Sequence, residues 1–165
     1  MKIVLRVIGA VALIVLGVWL WTILFPSPEK IIRKQLAKLA QDASFSQDEN
    51  NLLKMADAQK IADFFTGDVE VNIAIPGHSQ ETLEGRNEIT TAALASRQEA
   101  TALDVKFPDV NVTVAPDRNS AIADVTVDAT VSGERDAIIQ ELKITFQKID
   151  GHWLISKVET VQGVS

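Results

Sequence analysis

Nineteen consecutive residues, Val7 to Phe25, carry no charge, and no other feature of this 165-residue chain restricts its folding as much. At about 1.5 Å rise per residue such a segment makes a helix of about 28 Å, close to the hydrocarbon thickness of a bilayer. A cleaved secretory signal has a shorter apolar core of about 7–15 residues followed by small residues at a cleavage site. Here the core ends in Trp19, Trp21, Phe25 and Pro26, with no A-x-A-like site before the charged run. Aromatic rings at one end of an apolar span suit a membrane interface. The pattern predicts a head over 1–6, a transmembrane helix over 7–25 that is retained, a linker over 26–29 and one domain over 30–165. The predicted partner of Val7 to Phe25 is the lipid bilayer, and the predicted location is an inner (cytoplasmic) membrane, crossed once. Lys2 and Arg6 precede the span; Lys30, Arg33, Lys34 and Lys38 follow it. Counting cations favours a cytoplasmic domain, whereas the short head is the layout of an anchor that exports its C-terminal domain. The expectation is a periplasmic domain, with the cytoplasmic orientation open.

The chain contains no cysteine, which removes disulfides, thiol catalysis and zinc–thiolate sites. Its net charge is −6, and without Lys2 and Arg6 the remainder carries −8. Nucleic acid is therefore not an expected partner, because phosphate contact needs a basic footprint. One segment departs from this balance: Glu29 to Asp42 holds four basic residues against two acidic ones. A basic helix leaving a bilayer is placed to meet anionic headgroups.

Pro26 and Pro28 form a stiff joint, and Pro28 suits a helix start, where a missing N–H costs little. Ile32, Leu36, Leu39, Ala40 and Ala43 then make one apolar helical stripe. Ser46-Gln47-Asp48-Glu49 reads as a capping box for a second helix carrying Leu52, Leu53, Met55, Ala56, Ile61, Phe64 and Phe65 and ending at Gly67, with Asp57 a point where it can break. Gly85 to Gln98 reads as a third helix. Val69–Ile75 reads as a short strand with Ser79–Leu83 as its partner, and Val105–Val114 as a strand whose Pro108 suits an edge or a bulge. Ala121–Val131 alternates cleanly, Ile138–Ile149 does so again, and Asp150-Gly151 is a hairpin turn. Helices first and a meander of one-sided strands last predict the α+β class, with a curved, mostly antiparallel sheet wrapped around about three helices.

In this order of elements, the "FFTGDVEVNI" junction, "EGRNEI" and the "K-x-D-G-x-W-x-I" hairpin of Lys148 to Ile155 together resemble the nuclear transport factor 2-like superfamily, in its SnoaL-like branch. The resemblance covers about residues 30–162. It implies a cystatin-like cone with a pocket at its open end, a possible homodimer through the sheet, and a small apolar ligand. The fold hosts many unrelated activities, so it does not itself imply one. Steroid isomerases of the superfamily use an Asp base beside a Tyr and a protonated Asp, a pairing that serves as a general example of carboxyl tuning. This chain has no tyrosine. No catalytic set, metal site or cofactor is expected. The candidate pocket residues are Asp63, Phe64, His78 and Arg86; His152 reads as a solvated turn residue, and Asp124, Asp128 and Glu141 as a wet outer face. The function that follows is a membrane-anchored, non-catalytic domain that binds a ligand or a protein. Two alternatives are an envelope scaffold of type IV secretion-like layout and a small-molecule isomerase or dehydratase using a pocket Asp or His.

Overall fold

Long alternating strands separated by short polar turns leave little choice but an antiparallel meander. The computed structural model describes residues 2–47, 49–74, 79–135 and 137–161, and the side chains within them except at 2–7 and 22. Among the described residues, the elements are α1 (Lys2–Leu24), α2 (Pro28–Ala43), α3 (Asn51–Ala62), β1 (Phe65–Ile73), β2 (Glu81–Glu84), α4 (Gly85–Glu99), β3 (Leu103–Val114), β4 (Ser120–Val131), β5 (Ile138–Ile149) and β6 (His152–Thr160). The strands form one sheet in the order β2-β1-β6-β5-β4-β3. Every pairing is antiparallel except β1 with β6, which run parallel. The class is α+β, a curved six-stranded sheet with helices against its concave face.

The core lies between that face and α2. Ile32 and Leu36 are fully buried and cluster with Val69 of β1, Ala123 of β4, Phe146 of β5 and Ile155 of β6. Two side chains of α2 also tie it to strands far apart in the sheet: Arg33 donates to the Val110 carbonyl of β3, and Gln35 donates to the Trp153 carbonyl of β6 at 2.6 Å. Ser27 caps the helix by accepting from the Lys30 N–H, and Pro28 occupies its first turn as the joint sequence requires.

The sheet edges are managed. At Pro108, on edge strand β3, the register with β4 shifts between Lys106 and Asp109, so the proline falls at a bulge. The N-terminal end of β3 is closed by Phe45, whose backbone pairs with Leu103, and by Ser44, whose hydroxyl accepts from the Val105 N–H at 2.9 Å. The opposite edge, β2, is four residues long with exposed glutamates at both ends. The β5–β6 turn is Asp150-Gly151, with φ of 50° and 81°, the left-handed pair that an Asp-Gly hairpin supplies.

The structure relocates three features. The α3 cap is Asn50, which accepts from the Leu53 N–H, rather than Ser46. Phe45 instead pairs with the β3 edge, and Glu49 is drawn to Arg97. The helix ends at Ala62, because Phe65 already pairs with Ile155 in the sheet; Gly67 is inside β1. Asp57 causes no break; it pairs with Lys60 within a continuous helix. Of the apolar residues assigned to this helix, Ile61 is buried whereas Leu52, Leu53 and Met55 are exposed.

Replacing Phe146 by Ala removes a fully buried ring and is expected to cost about 3–5 kcal/mol, whereas Ile122→Ala on the convex face should change stability by less than about 0.5 kcal/mol. Urea titration of the two variants measures the contrast.

Candidate functional site

Burial along the inward-facing rows changes from one end of the cone to the other. In β4, Ala121, Ala123 and Val125 are buried, then Val127, Ala129 and Val131 are only half-buried. In β5, Phe146 and Ile144 are buried, then Leu142, Gln140 and Ile138 are half-buried. β1 runs from buried Val69 and Val71 to half-buried Ile73, and β6 from buried Val158 to half-buried Thr160. Because the register sets Val127 beside Gln140, and Leu142 beside Thr160, these half-buried positions gather at one end. The cone is packed solid where β5 and β6 turn and opens at the other end, where β4 and β5 turn. Half-buried Leu83, Ala93 and Phe107 join the same apolar wall.

Two polar side chains stand on this open wall, and both are committed to one residue's backbone. Thr160 Oγ1 accepts from the Ala74 N–H at 3.0 Å, and Gln140 Nε2 donates to the Ala74 carbonyl. They fasten the end of β1 to β5 and β6. Among the described residues, the only buried polar side chains are Thr66 and Arg97. No group of three or more His, Asp or Glu among them is placed to hold a metal ion.

Arg97 is invisible to sequence reasoning, because a lone arginine near a helix end gives no signal. It is 1% exposed. Its Nη2 donates to the Asp42 carbonyl at 2.6 Å, its guanidinium lies 5.0 Å from the Phe45 ring centroid, and its Nε is 3.6 Å from the Glu49 carboxylate. The Arg97 carbonyl accepts from Lys54 at 3.0 Å. These contacts bind α4 to the α2–α3 connection, so Arg97 positions the helical cover.

The sequence-derived candidates divide. Asp63 is an exposed C-cap of α3, and Phe64 beside it is buried. Both border a groove of about 1320 Å³ at the packed end, between α1 and the turn-bearing end of the sheet. Arg86 lies elsewhere: its Nε donates to the Phe65 carbonyl at 2.7 Å, which ties the start of α4 to β1. The "EGRNEI" segment is thus a joint. Gly85 has φ of +78°, and a Cβ there would stand 3.3 Å from the Gly67 carbonyl oxygen; Glu88 accepts from the Glu84 N–H at 2.7 Å. His78 lies outside the described residues. His152 is exposed beside the β5–β6 turn, and Asp124 stands on the convex face opposite Lys143.

The Glu29 carboxyl is held below its ordinary range, first by its own backbone N–H, then by the Ser27 hydroxyl, with a small contribution from Arg118. Lys60, Lys106 and Lys157 are raised, each chiefly by a hydrogen bond to a neighbouring carboxylate: Asp57, Asp104 and Glu159.

Removing the Arg97 guanidinium by Arg97→Met leaves the Glu49 carboxylate without its partner. With that carboxylate a fifth exposed, the expected cost is about 3 kcal/mol, at the low end for a broken buried pair. Because the same substitution leaves the wall untouched, occupancy of the open end by a ligand should survive it; denaturation and ligand titration on one sample test both halves.

No protein-family profile matches the chain, and no curated protein matches it by sequence. Solved structures do match its fold. A nuclear transport factor 2-like protein of unknown function from Pseudomonas putida KT2440 superposes with a TM-score of 0.62 at 13% identity, covering 83% of this chain and 87% of that one. A candidate scytalone dehydratase from Novosphingobium aromaticivorans gives 0.58 at 17% identity over 81% and 83%. A single-substitution variant of Rv3472, a protein of unknown function from Mycobacterium tuberculosis, gives 0.60 at 16% identity over 79% and 72%. At these identities the likeness establishes the nuclear transport factor 2-like fold and no activity.

Proposed function

We propose that this nuclear transport factor 2-like cone is a membrane-anchored, non-catalytic domain that holds a small apolar molecule at its open end. The observation that carries the reading is the inner wall itself. It loses burial toward the open end while staying aliphatic and aromatic, and its polar members, Gln140 and Thr160, are bonded to the backbone of Ala74. General acid–base catalysis needs a titratable group within hydrogen-bond reach of the substrate. Among the described residues the buried polar side chains are Thr66 and Arg97, and Arg97 faces the α2–α3 connection. A wall of this kind recognises shape and apolar area.

The anchor is part of the same reading. α1 is one 23-residue helix, and every side chain described in it is exposed. Among the described residues no helix is long and apolar enough to cross a membrane. The support for a span is the whole uncharged run of Val7 to Phe25, set on a helix whose described side chains are exposed. A periplasmic placement of the domain is part of the same proposal.

A neutral solvatochromic dye such as Nile red should bind the detergent-solubilised full chain. Leu142→Trp, which fills the open end, is expected to weaken binding about tenfold or more, equivalent to about 1.4 kcal/mol. Turnover of a steroid, polyketide or epoxide panel, abolished by a wall substitution, would instead make the domain an enzyme of the dehydratase or isomerase type. For the anchor, the chain should stay with membranes washed in alkaline carbonate, and a variant with two lysines set between Ala12 and Leu16 should be released.

A further inference from the structure

The lining of the groove at the packed end inverts the character of the chain. Six lysines and arginines line it against two aspartates, in a protein of net charge −6. Lys38 is matched by Asp42 at 3.1 Å and Lys60 by Asp57 at 2.7 Å. That leaves Lys30, Lys34, Arg118 and Lys148, none of which has a carboxylate within ion-pair distance among the described residues; Glu29 stands near enough to Arg118 to feel its charge. The four come from three separate places: the first turns of α2, the β3–β4 turn and the end of β5.

The two strand turns are built as one unit. Arg118 sits at φ of 56°, a backbone region that side-chain-bearing residues seldom occupy, within a turn closed by its N–H to the Ala115 carbonyl at 2.9 Å. The next residue, Asn119, accepts from the Lys148 N–H at 2.8 Å, so the β3–β4 turn and the end of β5 are hydrogen-bonded together. Lys148 Nζ lies 5.9 Å from the Trp153 ring centroid, which orients its stem. The lining nearest the end of α1 is aromatic: Trp21 and Phe25, with ring centroids 4.7 Å apart. Cations on one side and aromatic rings on the other, where a hydrophobic helix enters a domain, match an amphiphile with an anionic head.

We infer that this groove is a binding site for the headgroup of an anionic phospholipid in the leaflet adjoining the domain. The phosphodiester meets Lys30, Lys34, Arg118 and Lys148, and the glycerol and upper acyl segments lie along Trp21 and Phe25. The inference rests on the proposed anchoring of α1. A free phosphate would use the same cations but gain nothing from the aromatic wall, and the continuity of that wall with α1 favours the lipid.

The test uses the full chain in nanodiscs of mixed phosphatidylcholine and phosphatidylglycerol, with native mass spectrometry reading the lipids it retains on release. A phosphatidylglycerol adduct is expected in preference to phosphatidylcholine. Each cation near an anionic surface contributes about 1 kcal/mol, or about fivefold, so Lys30→Gln/Lys34→Gln should weaken retention about 25-fold. Lys106→Gln/Lys143→Gln removes the same charge from β3 and β5 outside the groove and should leave retention unchanged. Equal losses in both double variants, or no preference between the two lipids, overturn the site while the anchor stands. Displacement of the lipid by free glycerol phosphate at matched concentration assigns the groove to a soluble phosphate and overturns the lipid occupant. Release of the chain from membranes by alkaline carbonate overturns the anchor, and the groove's lipid with it.

Discussion

One amphipathic helix has to cover the concave face of a six-stranded sheet, and the rest of the molecule follows from how far that cover reaches. The buried stripe of α2 is Ile32, Leu36, Leu39 and Ala40. A stripe of that length cannot fill a cone whose longest strands run for twelve residues, so packing is complete at one end and thins toward the other. The open wall is what remains of a core that ran out of helix. The hydrogen bonds from Arg33 to β3 and from Gln35 to β6 hold the helix in place across the sheet and so fix where the opening falls.

The two ends of the cone therefore differ in chemistry as well as in packing. At the open end, the inward side chains of Gln140 and Thr160 are each bonded to the Ala74 backbone, and the described residues around them are apolar. At the closed end, the turns carry cations that no core residue needs. A ligand drawn to either end by its own chemistry would be poorly held at the other.

Much of this architecture was legible from local pattern. The strict alternation of Ala121–Val131 and Ile138–Ile149 marked the long strands, Asp150-Gly151 the hairpin, Pro108 the bulge and the i, i+4, i+7 spacing of Ile32, Leu36 and Leu39 the covering helix. Where reading failed, a tertiary partner had overridden a local preference. Ser46 to Glu49 has the letters of a capping box, but Phe45 pairs with the β3 edge and Glu49 with Arg97, so the helix waits for Asn50. Leu52, Leu53 and Met55 give the second helix an apolar pattern in the sequence, and the structure leaves them exposed. The site was less legible than the fold. Of the pocket candidates, Asp63 and Phe64 line the groove at the closed end, and Arg86 ties two elements together. The cationic set of Lys30, Lys34, Arg118 and Lys148 is scattered along most of the domain's sequence, and only the joined turns bring it together.

The length of the strands has a consequence for traffic. On β5, Lys148 of the groove and the wall residues Leu142, Gln140 and Ile138 are separated by about 20–33 Å at about 3.3 Å per residue. If α1 lies in the membrane as proposed, with the groove at its surface, a molecule held at the open wall would sit that far from the lipid. Such a molecule would then reach the wall through water, and its free aqueous concentration would set how fast the proposed site fills.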